Sequence, residues 1–161
     1  MKYIPEDVQV TFREIPDCIC LAINISGCKV HCPGCHSKYL WEDIGEELTP
    51  EVVSDLLDKN KGVNCVVFFG GDDYEALNSL AMLVKLRSDF PYKVAWYTGE
   101  DKIPDKIALG LFDYVKVGPY IEEKGPLDKE TTNQKLYKVD HIGDGWNKMK
   151  DITSEFWHKQ P

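Results

Sequence analysis

Apolar positions along the chain fall into short runs and helical stripes that alternate with one another. Val8, Val10 and Phe12 alternate with polar residues, a period of two that predicts extended chain. Residues 18–25 form a nearly continuous apolar run with β-branched members, as in a strand covered on both faces, and Gly27 ends it. Residues 27–38 follow as a loop rich in Cys, Gly and Pro. Thr49 then has the character of a helix N-cap. Pro50 stands at the first helical position, Glu51 in the first turn, and Val52, Val53, Leu56 and Leu57 form a stripe.

The alternation continues to the C-terminal part of the chain. Residues 63–69 predict a second buried strand, closed by Gly70 and Gly71. Residues 74–87 predict a second amphipathic helix, with Leu77, Leu80, Ala81, Val84 and Leu86 as its periodic positions. A third strand is expected over 92–97, closed by Thr98 and Gly99, then a short helix over 103–109 and a fourth strand over 114–117 before Gly118 and Pro119. Residues 119–134 predict a long polar loop and residues 135–139 a last strand. The polar tail from Asp140 onward, with isolated Trp146, Phe156 and Trp157, has no assignable pattern.

Strands alternating with helices predict an α/β fold with a mostly parallel sheet. A length of 161 residues suits one domain, 1–161, with its core at about 18–139 and the tail 140–161 unassigned. Each predicted strand ends in a turn bearing glycine: Gly27, Gly70 and Gly71, Gly99, and Gly118. Ligands of parallel α/β folds bind beyond the carboxyl ends of the strands, and the cysteine-rich loop falls at that same end.

Composition narrows the function classes. The formal net charge is −8, with lysines scattered rather than clustered, which argues against a nucleic-acid partner. No apolar run reaches the roughly 18 residues of a membrane span, and residues 1–10 carry Glu6 and Asp7 rather than an apolar signal core, so a cytoplasmic protein is expected. There is no pattern of paired carboxylates or of Ser, His and Asp that would suggest acid–base or nucleophilic catalysis.

Six cysteines are present, and in a reducing compartment clustered cysteines bind metal or do redox work. Cys28, Cys32 and Cys35 lie within the segment Gly27-Cys28-Lys29-Val30-His31-Cys32-Pro33-Gly34-Cys35-His36. Three thiolates would hold three corners of a 4Fe-4S cubane and leave one iron without a local protein ligand. Zinc would need a fourth ligand from His31, His36 or a distant cysteine, and His36 adjoins Cys35, which makes joint tetrahedral ligation awkward. An electron-transfer ferredoxin would need a fourth cysteine, for which Cys18, Cys20 or Cys65 could serve. Those three fall in predicted buried strands, where free cysteine packs as a small inert hydrophobe. His31 is expected to pack or hydrogen-bond in its loop.

The spacing of Cys28, Cys32 and Cys35, just after a first strand, resembles the radical S-adenosylmethionine superfamily. The turn Phe69-Gly70-Gly71-Asp72 is similar to that superfamily's Gly-Gly-Glu turn, with Asp in place of Glu. Within it, the segment 112–120 (Phe-Asp-Tyr-Val-Lys-Val-Gly-Pro-Tyr), Leu127-Asp128, Thr131-Thr132-Asn133-Gln134 and Trp41 resemble the activating proteins of anaerobic ribonucleoside-triphosphate reductase. The matches span about residues 25–139. The family's Gly-Pro-Gly stretch before the first strand is replaced here by Glu14-Ile15-Pro16-Asp17.

The resemblance implies a partial, open (β/α) barrel of the radical S-adenosylmethionine type. It implies a 4Fe-4S cluster on Cys28, Cys32 and Cys35, one per chain, and S-adenosylmethionine as second cofactor. Gly34, Cys35 and His36 would lie along that cofactor, Gly70, Gly71 and Asp72 would hold its methionine amino group, and Thr98, with Tyr97 and Gly99, would border the ribose. Lys116 and Tyr120 would face the cofactor, the partner's loop or the surface, and Asp113 would serve a turn. No side chain would be catalytic in the acid–base sense, since the 5′-deoxyadenosyl radical itself takes the hydrogen. The implied partners are the large subunit of anaerobic ribonucleoside-triphosphate reductase, on which a glycyl radical forms, and a flavodoxin-like electron donor, with residues 119–134 contacting the reductase. Another small radical S-adenosylmethionine enzyme and a non-enzymatic metal-binding module are the rival expectations.

Overall fold

The computed structural model describes residues 1–35, 37–143 and 145–159. Its strands are β1 (Lys2–Tyr3), β2 (Gln9–Thr11), β3 (Cys20–Asn24), β4 (Glu46–Glu47), β5 (Cys65–Phe69), β6 (Lys93–Tyr97), β7 (Tyr114–Val117), β8 (Lys135–Gly143) and β9 (Trp146–Asp151). Two α-helices, α1 (Pro50–Lys59) and α2 (Tyr74–Leu86), connect β3 to β5 and β5 to β6. α1 begins where its expected cap places it, and α2 proves to be capped as well. Thr49 accepts from the Val52 N–H at the start of α1, and Asp73 accepts from the Ala76 N–H at the start of α2.

The main sheet has seven strands in the order β2-β3-β5-β6-β7-β8-β9. The central four, β3, β5, β6 and β7, run parallel, while β2, β8 and β9 join antiparallel at its sides. The sheet is open: β2 and β9 are its edges and do not pair. β1 and β4 form a separate two-stranded ribbon.

Both faces of the parallel strands are covered, which is why their sequences are continuously apolar rather than alternating. On one face α1 and α2 pack Val53, Leu57, Leu77 and Leu80 against Leu21, Ile23, Phe68 and Trp96. On the other, Cys20, Cys65, Val67, Ala95 and Tyr114 meet Ile15, Leu136, Ile152 and Phe156, which come from loops, β8 and the C-terminal segment rather than from α-helices. Each fully buried large apolar side chain in these layers contributes about 1.5–3 kcal/mol.

Four expectations change. Leu86 is 76% exposed. At 3.6 residues per turn it falls half a turn away from the stripe of Leu77, Leu80, Ala81 and Val84. Residues 103–109 do not form an α-helix; they form turns that lead into a 3₁₀ helix at Leu109–Leu111. The Asn78 side chain on α2 takes their backbone groups instead, donating to the Lys106 carbonyl at 2.9 Å and accepting from the Ala108 N–H at 2.9 Å. The strand expected over 135–139 continues to Gly143 and is not the last. The tail forms β9, joined to β8 through Gly143 and Gly145 at φ 94° and 78°, and then a 3₁₀ helix over Thr153–Lys159. Thr153 ties that tail down by accepting from the Leu136 N–H at 2.9 Å. Among the described residues no helix is long and apolar enough to cross a membrane.

Candidate functional site

The chain leaves β3 through Ser26 and Gly27 and forms a loop closed at its base by backbone hydrogen bonds. The Gly27 N–H donates to the Glu42 carbonyl at 3.0 Å, and the Cys28 N–H donates to the Leu40 carbonyl at 2.8 Å. Inside the loop, the Cys35 N–H donates to the Cys32 carbonyl at 3.1 Å. Gly34 sits at φ 77° and His31 at φ 51°, so the chain reverses direction within a few residues at the cost of placing a histidine in left-handed backbone. His31 then stacks on Trp41, ring centroids 4.5 Å apart and planes at 18°.

That closed loop hangs its cysteines over the carboxyl ends of the parallel strands. Cys28, Cys32 and Cys35 line one cavity of about 220 Å³ together with Phe69 and Gly70 after β5, Tyr97, Thr98 and Gly99 after β6, and Lys116 and Gly118 at the end of β7. The glycines make the approach possible. A Cβ on Gly99 would meet both Val30 methyls at 3.1 Å, so this turn and the cysteine loop are in contact. Gly70 and Gly118 hold φ of 90° and 105°, which side chains other than glycine rarely adopt.

Several polar groups next to the thiols present N–H donors or positive charge. The Tyr120 N–H donates to Cys32 Sγ at 3.3 Å and the Ser37 N–H donates to Cys35 Sγ at 3.4 Å. Lys116 is buried, and its ammonium donates to the carbonyls of Gly118 at 3.0 Å and Thr98 at 3.4 Å. Burial pulls its pKa down to about 8, while the nearby thiols of Cys32 and Cys28 push it the other way. No carboxylate pairs with it among the described residues. The indole N–H of Trp41 is buried without a partner there. Such a lining suits an anionic guest, and three thiols with inward N–H donors fit an iron–sulfur cluster, which thiolates ligate and hydrogen bonds tune. Among the described residues no three His, Cys, Asp or Glu side chains converge closely enough for a single metal ion. A cubane is ligated at separate corners and does not require that convergence.

The other expected site residues divide. Cys35, Gly70 and Thr98 line the cavity. Thr98 is also a turn residue, its hydroxyl accepting from the Glu100 N–H at 3.1 Å. Gly34, Gly71 and Asp72 are not among the lining residues. Gly34 packs on Glu122, Gly71 packs on Met1, Ile25 and Leu77, and Asp72 forms an ion pair with Lys29 at 2.7 Å. His36 lies outside the described residues. Asp113 is structural: its carboxylate accepts from the Val94 N–H at 2.9 Å and pairs with Lys85 and with His141 at 3.4 Å.

Three features escaped the pattern analysis. One is the burial of Lys116, which was expected to face the cofactor, the partner's loop or the surface; a lysine inside the apolar run of β7 was a visible signal that a buried position carried charge. The second is a larger cavity of about 620 Å³, lined by Arg13, Glu14, Ile15, Leu127, Asp128 and Phe156, which shares Tyr97, Lys116 and Gln134 with the first. The third is that the non-cluster cysteines meet. Cys20 and Cys65 are register partners on β3 and β5, and Cys18 and Cys65 hydrogen-bond through their side chains. That contact lowers the Cys18 pKa to about 7 and raises that of Cys65. All three are buried, as expected, in the core on the sheet face away from the helices.

The sequence matches the family described as 4Fe-4S single cluster domain over residues 18–137. No curated protein and no solved structure matches it. The match begins just before β3, contains the cysteine loop and all four parallel strands, and ends within β8. Covering more than half of the chain, it means that this protein belongs to the 4Fe-4S single cluster domain family and carries an iron–sulfur cluster domain.

Proposed function

We propose that the chain is a radical S-adenosylmethionine enzyme whose 4Fe-4S cluster is held by Cys28, Cys32 and Cys35, and that it activates anaerobic ribonucleoside-triphosphate reductase by forming a glycyl radical on the large subunit. The observation that carries it is the meeting of exactly three loop cysteines with the carboxyl ends of four parallel strands around one cavity. When bound, the cluster supplies the electron that splits a carbon–sulfur bond of S-adenosylmethionine, giving methionine and a 5′-deoxyadenosyl radical.

The chain's own residues bind and shield. The Tyr120 and Ser37 amides and the Lys116 ammonium offset negative charge on the cluster side. Gly70, Thr98 and Gly99, which line the cavity, would present backbone to the methionine and ribose parts of the cofactor. Lys116, Tyr97 and Gln134 form the wall between that cavity and the larger one, into which a glycine-bearing loop of the reductase would enter, bordered by Leu127 and Asp128 of the 119–134 loop. The glycine Cα–H would be the hydrogen donor to the cofactor-derived radical, so 5′-deoxyadenosine would be the co-product of glycyl radical formation. A flavodoxin-like donor would supply the electron, in an anaerobic cytoplasm.

The larger cavity also favours one alternative. Its volume of about 620 Å³ falls within the usual range for small-molecule sites, so a small radical S-adenosylmethionine enzyme acting on a small substrate is the second possibility.

The test is anaerobic reconstitution with iron and sulfide, reduction with dithionite, addition of S-adenosylmethionine and measurement of 5′-deoxyadenosine. The parent protein should release it and Cys32→Ala should not. With the candidate reductase added, a glycyl radical doublet is expected by electron paramagnetic resonance. A fully loaded cluster that yields no 5′-deoxyadenosine sinks the enzyme assignment; 5′-deoxyadenosine without the doublet sinks the partner.

A further inference from the structure

Trp41 lines the cavity of Cys28, Cys32 and Cys35, and its indole Nε1–H is buried from water with no acceptor among the described residues. Leaving such a donor unpaired costs about 1–3 kcal/mol, and each case calls for a physical explanation. The other non-exposed tryptophans are satisfied: Trp96 donates to the Gly70 carbonyl at 2.7 Å and Trp157 to the Leu127 carbonyl at 3.1 Å. The Trp41 ring is also held in place. His31 stacks on it at 4.5 Å and the Lys38 ammonium lies 5.8 Å from its centroid. Those contacts restrain the ring from turning its N–H toward solvent.

We propose that the Trp41 indole N–H donates a hydrogen bond to a sulfur of the iron–sulfur cluster and thereby raises its reduction potential. This rests on the assignment of the cluster to Cys28, Cys32 and Cys35. The direction follows from charge. Reduction adds one electron to the cluster, its sulfurs become stronger acceptors, and a fixed N–H donor stabilises the reduced state more than the oxidised one. Trp41 is therefore a positioning residue for the electron. The Lys38 and His31 contacts hold the donor in place for that task.

The experiment compares parent protein with Trp41→Phe, which removes the N–H and keeps a ring to stack on His31. Iron and sulfide content is measured first, then the cluster is titrated anaerobically with electron paramagnetic resonance as the readout. The expected result is an equal cluster content and a reduced-to-oxidised ratio lower by about three- to tenfold at a fixed potential. An unchanged ratio in a fully loaded variant overturns the inference and leaves the cluster assignment intact. Absence of a cluster in the parent overturns both. Should Trp41→Phe fail to load, parent protein labelled with ¹⁵N at the indole nitrogen decides: a ¹⁵N coupling to the reduced cluster in pulsed spectra supports the hydrogen bond, and its absence overturns it.

Discussion

The backbone N–H of Tyr120 donates to the Sγ of Cys32 at 3.3 Å across 88 positions of chain. One residue comes from the loop after β3, the other from the loop after β7. Parallel strands deliver both loops to the same end of the sheet, so the cysteine loop is braced by backbone from the far side of the parallel core. Replacing Tyr120 by Pro removes this donor, while Tyr120→Phe keeps it. Iron release from the loaded protein to a chelator should be several-fold faster in Tyr120→Pro than in Tyr120→Phe. Equal rates in both would mean the contact does not restrain the cluster.

Gly99 touches Val30 so closely that an added Cβ would meet its methyls at 3.1 Å. Gly99→Ala should push the cysteine loop outward by a few tenths of an ångström and weaken S-adenosylmethionine binding several-fold, measured by calorimetry on the loaded protein. Trimming the neighbour, in Gly99→Ala with Val30→Ala, should recover most of the loss. No recovery in the double variant would place the effect elsewhere.

Lys116 is a buried cation paired with carbonyl oxygens rather than a carboxylate. In the apoprotein its charge costs stability, since burial depresses its pKa to about 8. Lys116→Met should therefore make the apoprotein more stable by about 1–3 kcal/mol in urea unfolding, and at the same time lower 5′-deoxyadenosine formation at least tenfold. A destabilised apoprotein would show that Lys116 is needed for packing instead.

The Cys18 thiol has a pKa of about 7, lowered first by the hydrogen bond from Cys65 and further by Lys93, against the effect of burial. A folded-state pKa below the ordinary thiol value of 9.0 stabilises the fold above that value and loses the contribution as pH falls through 7. Cys65 is shifted upward and works in the opposite sense above its ordinary value. Cys18→Ser should thus be less stable than the parent by a margin that grows from pH 7 to pH 9 in apoprotein denaturation curves. A margin independent of pH would show that the Cys18 thiol is neutral throughout.

How legible each part was follows from how local its cause is. The cap at Thr49, the apolar runs of β3, β5, β6 and β7 and the glycine turns are short-range features, and the structure has them where the pattern implies. The segment 103–109 misled because its backbone partner, Asn78, lies on another element. The tail was opaque because β8 and β9 are mostly exposed and polar, and are held by strand pairing and by Thr153 rather than by apolar periodicity.

The amino-acid order alone determined the βα alternation, the three-cysteine loop and its place after the first parallel strand, because backbone preference, capping and thiol spacing act over a few residues. Only the tertiary structure decided that Lys116 and Trp41 face those cysteines, that Gly99 presses on Val30, that Cys18, Cys20 and Cys65 share a second core, and that a larger cavity adjoins the first. Those relations depend on which loops the open parallel sheet brings to one end, and that is settled by packing between residues far apart in the chain.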